Sequence, residues 1–256
     1  MTTALTSRFT LWLALVATTP FAACLEPLDG TTGRVSADEL RDSLTANPWT
    51  WSYVTAAACN WSETTWRLDV DGTAVRTHSS AKYDDDRYSN CYTDTTVTEG
   101  TYEIGEDHEV LITLPGETYR WQAAVIALAP QGDDSASRNA LVTRAFLSDP
   151  ADPLRYETQY EHRATGYVVR EFNQTLRFEA PLQEGTCRVS IDGEPSQDCT
   201  IGPTGDEDWM IVRTSSEWNG VVGLYRASAP ALMVPQYYQP YDDNGWMDPV
   251  LPSGGS

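Results

Sequence analysis

The chain has 256 residues, 17 Lys+Arg against 37 Asp+Glu, and a formal net charge of -20. So acidic a surface repels phosphate backbones and anionic lipid heads, which argues against nucleic-acid binding. With 41% hydrophobic residues the chain is able to bury a core, and its length fits one large all-β domain ahead of two small ones.

In chain order, residues 1–23 read as an export signal. Arg8 is the only charged side chain there, Phe9 to Thr19 form an apolar run, and Ala22-Ala23 are small residues placed before Cys24. The apolar run is shorter than the roughly 20 residues a membrane-spanning helix needs. A signal that ends directly at cysteine resembles that of bacterial lipoproteins. The resemblance implies that Cys24 is diacylated on its thiol once residues 1–23 are removed. Leu25 stands where an aspartate often marks inner-membrane retention, so the resemblance implies an outer-membrane protein facing the periplasm or the cell surface. Acyl chains contribute about 0.8 kcal/mol per buried CH₂, enough for a stable anchor. Residues 24–35 then form the lipidated cysteine and a polar, Gly/Pro-containing tether.

Ser36 and Glu39 make a capping-box pattern, with Leu40 and Leu44 four apart on one face. This predicts a short helix over 37–46, stopped by Asn47-Pro48. Beyond it the period changes to two: Trp49, Trp51 and Tyr53 alternate with polar residues, as do Thr64, Trp66, Leu68 and Val70. Asp71-Gly72 is a tight hairpin signal. The polar stretch 79–94, with aspartates at 84–86, reads as a loop. Strands follow at 95–104, 108–114 and 117–128, then a loop over 129–139. Further strands are predicted at 140–147, 154–163, 166–179, 187–191, 209–213 and 221–226. Residues 229–256 carry five prolines among Tyr237, Tyr238, Tyr241 and Trp246. They are read as an irregular, partly disordered tail, because proline has no N–H for a central strand.

Evenly spaced short strands with turn signals predict an all-β protein with an antiparallel barrel or sandwich, placed at 36–228. The helix before Trp49, the Trp66 strand with its Asp71-Gly72 turn, and the segments Gly100 to Ile104 and His108 to Leu114 are similar to the bacterial lipocalin-like lipoproteins. The similarity spans about 36–126. It implies an antiparallel lipocalin-like β-barrel with a cavity able to hold a small apolar or amphipathic molecule.

Apart from Cys24, the cysteines are Cys59, Cys91, Cys187 and Cys199, an even set in a chain bound for an oxidising compartment. They read as disulfides. The pairing stays open, with Cys59–Cys91 and Cys187–Cys199 closing the shortest loops. No CxxC is present and no histidine stands at ligand spacing, so no zinc is expected. The acidic runs 84–86 and 206–208 read as solvated loop faces, and neither a metal nor a cofactor is predicted.

Trp49, Trp51, Tyr53, Trp66, Tyr119 and Trp121 share strand faces. Such rings either fill the core or line a ligand pocket. His78, His108 and His162 share no short spacing, and His162 beside Glu161 reads as a surface pair. Hydrolase, phosphate-loop and dinucleotide motifs are absent, so the chain reads as a binding protein and not an enzyme. The other reading is an interaction lipoprotein that docks an envelope partner through its acidic surface or aromatic tail.

Overall fold

The computed structural model describes residues 35–54, 61–83, 91–128, 138–204, 208–214, 221–235 and 251–252. The export signal, Cys24, the tether up to residue 34, Cys59, the aspartates at 84–86 and most of the tail lie outside the described residues. Ser36 caps helix α1 (Ala37–Thr45). Its hydroxyl accepts from the Glu39 N–H at 3.2 Å, and the Glu39 carboxylate accepts from the Ser36 N–H at 2.7 Å. The predicted capping box is therefore complete. Leu40 and Leu44 face inward and are buried. At the other end the Trp49 indole N–H donates to the Leu44 carbonyl at 2.8 Å, meeting one of the open acceptors of a helix terminus.

Six strands then form an antiparallel meander: β1 (Trp49–Val54), β2 (Trp61–Leu68), β3 (Thr73–Tyr83), β4 (Cys91–Ile104), β5 (Glu109–Leu114) and β6 (Glu117–Gln122). Gly72 turns the β2–β3 hairpin with φ +88°, a conformation that favours glycine. Gly100 answers a different demand: a Cβ there would lie 2.0 Å from the Thr113 carbonyl oxygen, so only glycine lets β5 approach. A separate two-stranded sheet follows, β7 (Ala124–Leu128) with β8 (Arg138–Val142).

The remaining strands are β9 (Phe146–Asp149), β10 (Asp152–Ala164), β11 (Tyr167–Phe178), β12 (Gly185–Ile191) and β13 (Gln197–Pro203). After them come β14 (Trp209–Thr214), β15 (Val221–Arg226), β16 (Ala229–Pro235) and the short β17 (Leu251–Pro252), which pairs with β1. Each strand from β9 to β16 pairs with the next, and β16 returns to β9 through Leu232–Leu147 and Met233–Phe146. The result is a closed, antiparallel, eight-stranded barrel. Long β10 joins it to the meander. On one edge, Tyr156 and Glu157 pair with β9, while Tyr160 to Ala164 pair with β6.

Two interiors result. One collects Leu40, Trp49, Trp66, Val110, Ile112, Trp121 and Leu141 inside the meander. The other collects Phe146, Tyr156, Phe178, Val189, Ile201, Val212 and Met233 inside the closed barrel. Within the latter, Cys187 and Cys199 are cross-strand partners and form a disulfide. The Cys59–Cys91 pairing lies outside the described residues.

Several boundaries differ from the sequence reading. The closed ring runs over 146–235, whereas the stretch resembling lipocalin-like lipoproteins forms α1 and β1–β7. Residues 229–235, assigned to the tail, are β16, a strand paired on both sides. Proline is tolerated there because Pro230 falls within a register shift and Pro235 ends the strand. The Pro230 carbonyl also accepts a 2.6 Å bond from the Tyr156 hydroxyl. β13, which is not among the predicted strands, turns Cys199 and Ile201 inward. Of the polar stretch 79–94, residues 79–83 and 91–94 belong to the paired strands β3 and β4, where Ser80 pairs with Asp94.

Candidate functional site

Directly opposed residues in an antiparallel pair point to the same face. Trp51, Thr64, His78 and Thr96 therefore make one row across β1–β4, and Trp49, Trp66, Arg76 and Thr98 make the next. On the facing wall, Tyr119, His162 and Arg170 are partners across β6, β10 and β11, followed by Trp121, Tyr160 and Phe172. Between the walls lies a cavity of about 470 Å³. Leu141 and Thr143, from β8 and the residue after it, add to its lining.

The aromatic rings are held edge to face. Trp66 meets Tyr119 and Trp121 at 5.1 Å between centroids, with interplanar angles of 78° and 87°. Such pairs contribute about 0.5–1.5 kcal/mol beyond the area they bury. Tyr119 also stacks flat on His162, at 4.2 Å and 8°.

A polar cluster is set among these rings. The Arg76 guanidinium grips Glu117 with both terminal nitrogens, at 2.5 and 3.0 Å, and donates to the Tyr119 hydroxyl. The Tyr119 O–H donates to Glu117 Oε2 at 2.5 Å, and His162 Nε2 lies 3.2 Å from the same oxygen. The hydrogen bond from Arg76 holds the Glu117 carboxyl far below its ordinary range, at about 2. Burial, then the carboxylate beside it, pushes the Tyr119 hydroxyl up, so it stays protonated. Burial outweighs Glu117 at His162 and lowers its pKa, favouring a neutral ring that gives its Nε2–H to Glu117. Across the cavity, Thr64 Oγ1 and His78 Nδ1 are 2.9 Å apart.

Of the six aromatic residues singled out in the sequence, Trp51, Trp66, Tyr119 and Trp121 line this one cavity. Trp49 does not: it is wholly buried and seals the floor against α1. Tyr53 is placed on β1, but its side chain lies outside the described residues, as does that of Cys91. His162 is no surface partner of Glu161, which pairs instead with Arg163 at 2.7 Å. The strand alternation turns His162 inward with Tyr156 and Tyr160.

Arg76, His78, Glu117, His162 and Arg170 were not read as site residues. The available signal was phase. Glu117 shares its face with Tyr119 and Trp121, and Arg76 with Ala74, so a charge falls in each inward-facing register. A wider depression of about 740 Å³ beside the Cys187–Cys199 disulfide has no aromatic side chain in its lining. Among the described residues no group of His, Cys, Asp or Glu is arranged to hold a metal ion. No family model, no curated protein and no solved structure matches the chain.

Proposed function

We propose that this protein is a lipocalin-like binding protein of the bacterial envelope that holds a small amphipathic molecule in the cavity between the meander and the β10–β11 hairpin. The observation that carries this reading is the cavity itself: about 470 Å³, walled by three tryptophans and two tyrosines, with polar groups among them. Pockets of this size, mostly apolar with a few fixed polar groups, are the usual form of small-molecule sites. The polar cluster also suits binding better than proton transfer. Near neutral pH Glu117 remains ionised and Tyr119 protonated, so neither group is poised to exchange a proton. Export and acylation at Cys24 belong to the same proposal and rest on the sequence of residues 1–24.

Native mass spectrometry of the purified protein, with its disulfides intact, tests the cavity. A reproducible extra mass that is lost on denaturation is expected and would identify the ligand class. If the mass is clean and tryptophan fluorescence shows no saturable quenching by hydrophobic dyes, the cavity reading fails. Labelling with a palmitate analogue tests the anchor: label should enter the wild type and be absent from Cys24→Ala. Equal labelling of both would refute acylation at this residue.

A further inference from the structure

Glu117 determines how His162 is used. Its Oε2 already accepts from Arg76 and Tyr119, and an ionised carboxylate has no proton to give. The 3.2 Å contact with His162 Nε2 therefore requires that Nε2 carry the hydrogen. In a neutral imidazole the other nitrogen is then an acceptor with a free lone pair. Burial lowers the pKa of this ring, so near neutral pH it is uncharged and Nδ1 keeps that lone pair.

The second nitrogen has no partner inside the protein. Among the described residues nothing donates to Nδ1, and it is not sealed in the wall as the Arg76 Nε and the Trp121 indole nitrogen are. The ring belongs to the cavity lining, a fifth of its side chain is exposed, and Tyr119 stacks on it at 4.2 Å. One face and one edge are thus fixed, and the remaining edge carries an acceptor. Such a group suits a ligand that brings a hydrogen-bond donor. An ammonium is a poor candidate, because Arg76 holds a positive charge nearby and both Glu117 oxygens are taken. A carboxylate would set its own lone pairs against that of Nδ1. A neutral hydroxyl meets neither obstacle.

Resting on the cavity reading above, we infer that His162 Nδ1 selects a neutral, hydroxyl-bearing amphiphile, accepting its O–H while the apolar body lies against Trp51 and Trp66. A hydroxyl compound and its methyl ether separate donor recognition from burial alone, since the ether keeps the ring system and loses the O–H. Calorimetric titration of the purified full-length protein with 2-naphthol and with 2-methoxynaphthalene, at neutral pH, makes the comparison. The naphthol should bind about tenfold more tightly. His162→Phe keeps a flat ring on Tyr119 and should erase that preference while keeping the ether's affinity. Should the variant fold poorly, nitrogen NMR of the wild-type imidazoles decides. His162 should carry its hydrogen on Nε2, and the naphthol but not the ether should shift its Nδ1 resonance. Equal or tighter binding of the ether overturns hydroxyl selection and leaves the cavity reading standing. A preference that survives His162→Phe, or an Nδ1 resonance that the naphthol leaves unmoved, overturns the assignment to His162. If neither compound binds, both readings fall.

Discussion

The closed barrel β9–β16 and the meander β1–β6 share the β10–β11 hairpin, yet they treat their interiors in opposite ways. Inside the closed barrel the inward positions carry Phe146, Tyr156, Leu176, Phe178, Val212, Tyr225 and Met233, all buried. The fit is close enough that a Cβ added at Gly223 would lie 2.6 Å from Met233 Cγ. Inside the meander, the inward positions toward the open end of β2–β4 are Thr64, Arg76, His78 and Thr96. Short hydroxyl side chains and groups tied up in ion pairs cannot fill the space between two curved walls, and a cavity remains. A small barrel is solid or hollow according to what its inward register carries. Here one chain contains both outcomes, joined by a single pair of strands.

The sharpest way to break that contrast is to truncate one side chain in each interior. Phe178→Ala should destabilise the protein by about 3–5 kcal/mol, the range for a large aromatic removed from a packed core. Trp51→Ala, at a half-buried position already facing empty space, should cost about 1–2 kcal/mol, because there is less packing to lose. Urea unfolding of the two variants measures this. Equal losses would mean that the cavity wall is packed as tightly as the barrel.

Next in size is the disulfide. Cys187 and Cys199 are twelve residues apart, and opening so short a loop in the Cys187→Ala/Cys199→Ala variant should cost about 2–3 kcal/mol. The loss belongs to the closed barrel, so ligand uptake by the folded variant should match that of the wild type. A loss of uptake at a temperature where the variant remains folded would show that the two interiors are coupled.

Glu117→Gln tests the meander's polar cluster. It leaves the Arg76 charge half-buried without its counter-ion and should cost about 1–3 kcal/mol, less than for a fully buried pair. The pH dependence has a defined sign. Glu117 is held at about 2 in the folded state against an ordinary 4.5, so its contribution is present above pH 4.5 and is lost as pH falls from there toward 2. His162 is lowered from 6.5, so its neutral form favours the fold and protonation below that pH also opposes it. Stability should therefore decline in two stages on acidification. Unfolding midpoints between pH 7.5 and 3 should decline less steeply below 4.5 in Glu117→Gln than in the wild type; parallel profiles would remove Glu117 from the account.

The same contrast explains what was legible beforehand. The helix could be read because Ser36, Glu39, Leu40 and Leu44 agree on one structure at every level. The strand around Trp66 could be read because its apolar side faces a core. The far ends of β3 and β4 could not, since the paired residues there, such as Ser80 with Asp94, show no alternation of apolar and polar side chains. β16 was hidden by its prolines, which sit where the ladder is broken or ends. For the site, the aromatic half was visible as residue type. The charged half was not, because Arg76, Glu117 and His162 are ordinary surface residues until strand pairing shows that they face one another.

The smallest expected change in stability comes with the largest expected change in function. Thr96 is exposed in the wall, in the row of Trp51 and His78. Thr96→Trp adds a ring there without disturbing a packed neighbour, so its effect on stability should stay within about 0.5 kcal/mol, as for other surface substitutions. The ring would occupy space that a ligand needs, and uptake of hydrophobic dyes should fall sharply while the melting temperature holds. The equivalent change in the closed barrel, Gly223→Trp, has no space to enter and should prevent folding. If Thr96→Trp binds as well as the wild type, ligands do not use this part of the cavity. If it unfolds the protein, the β2–β4 wall is packed more closely than its geometry indicates.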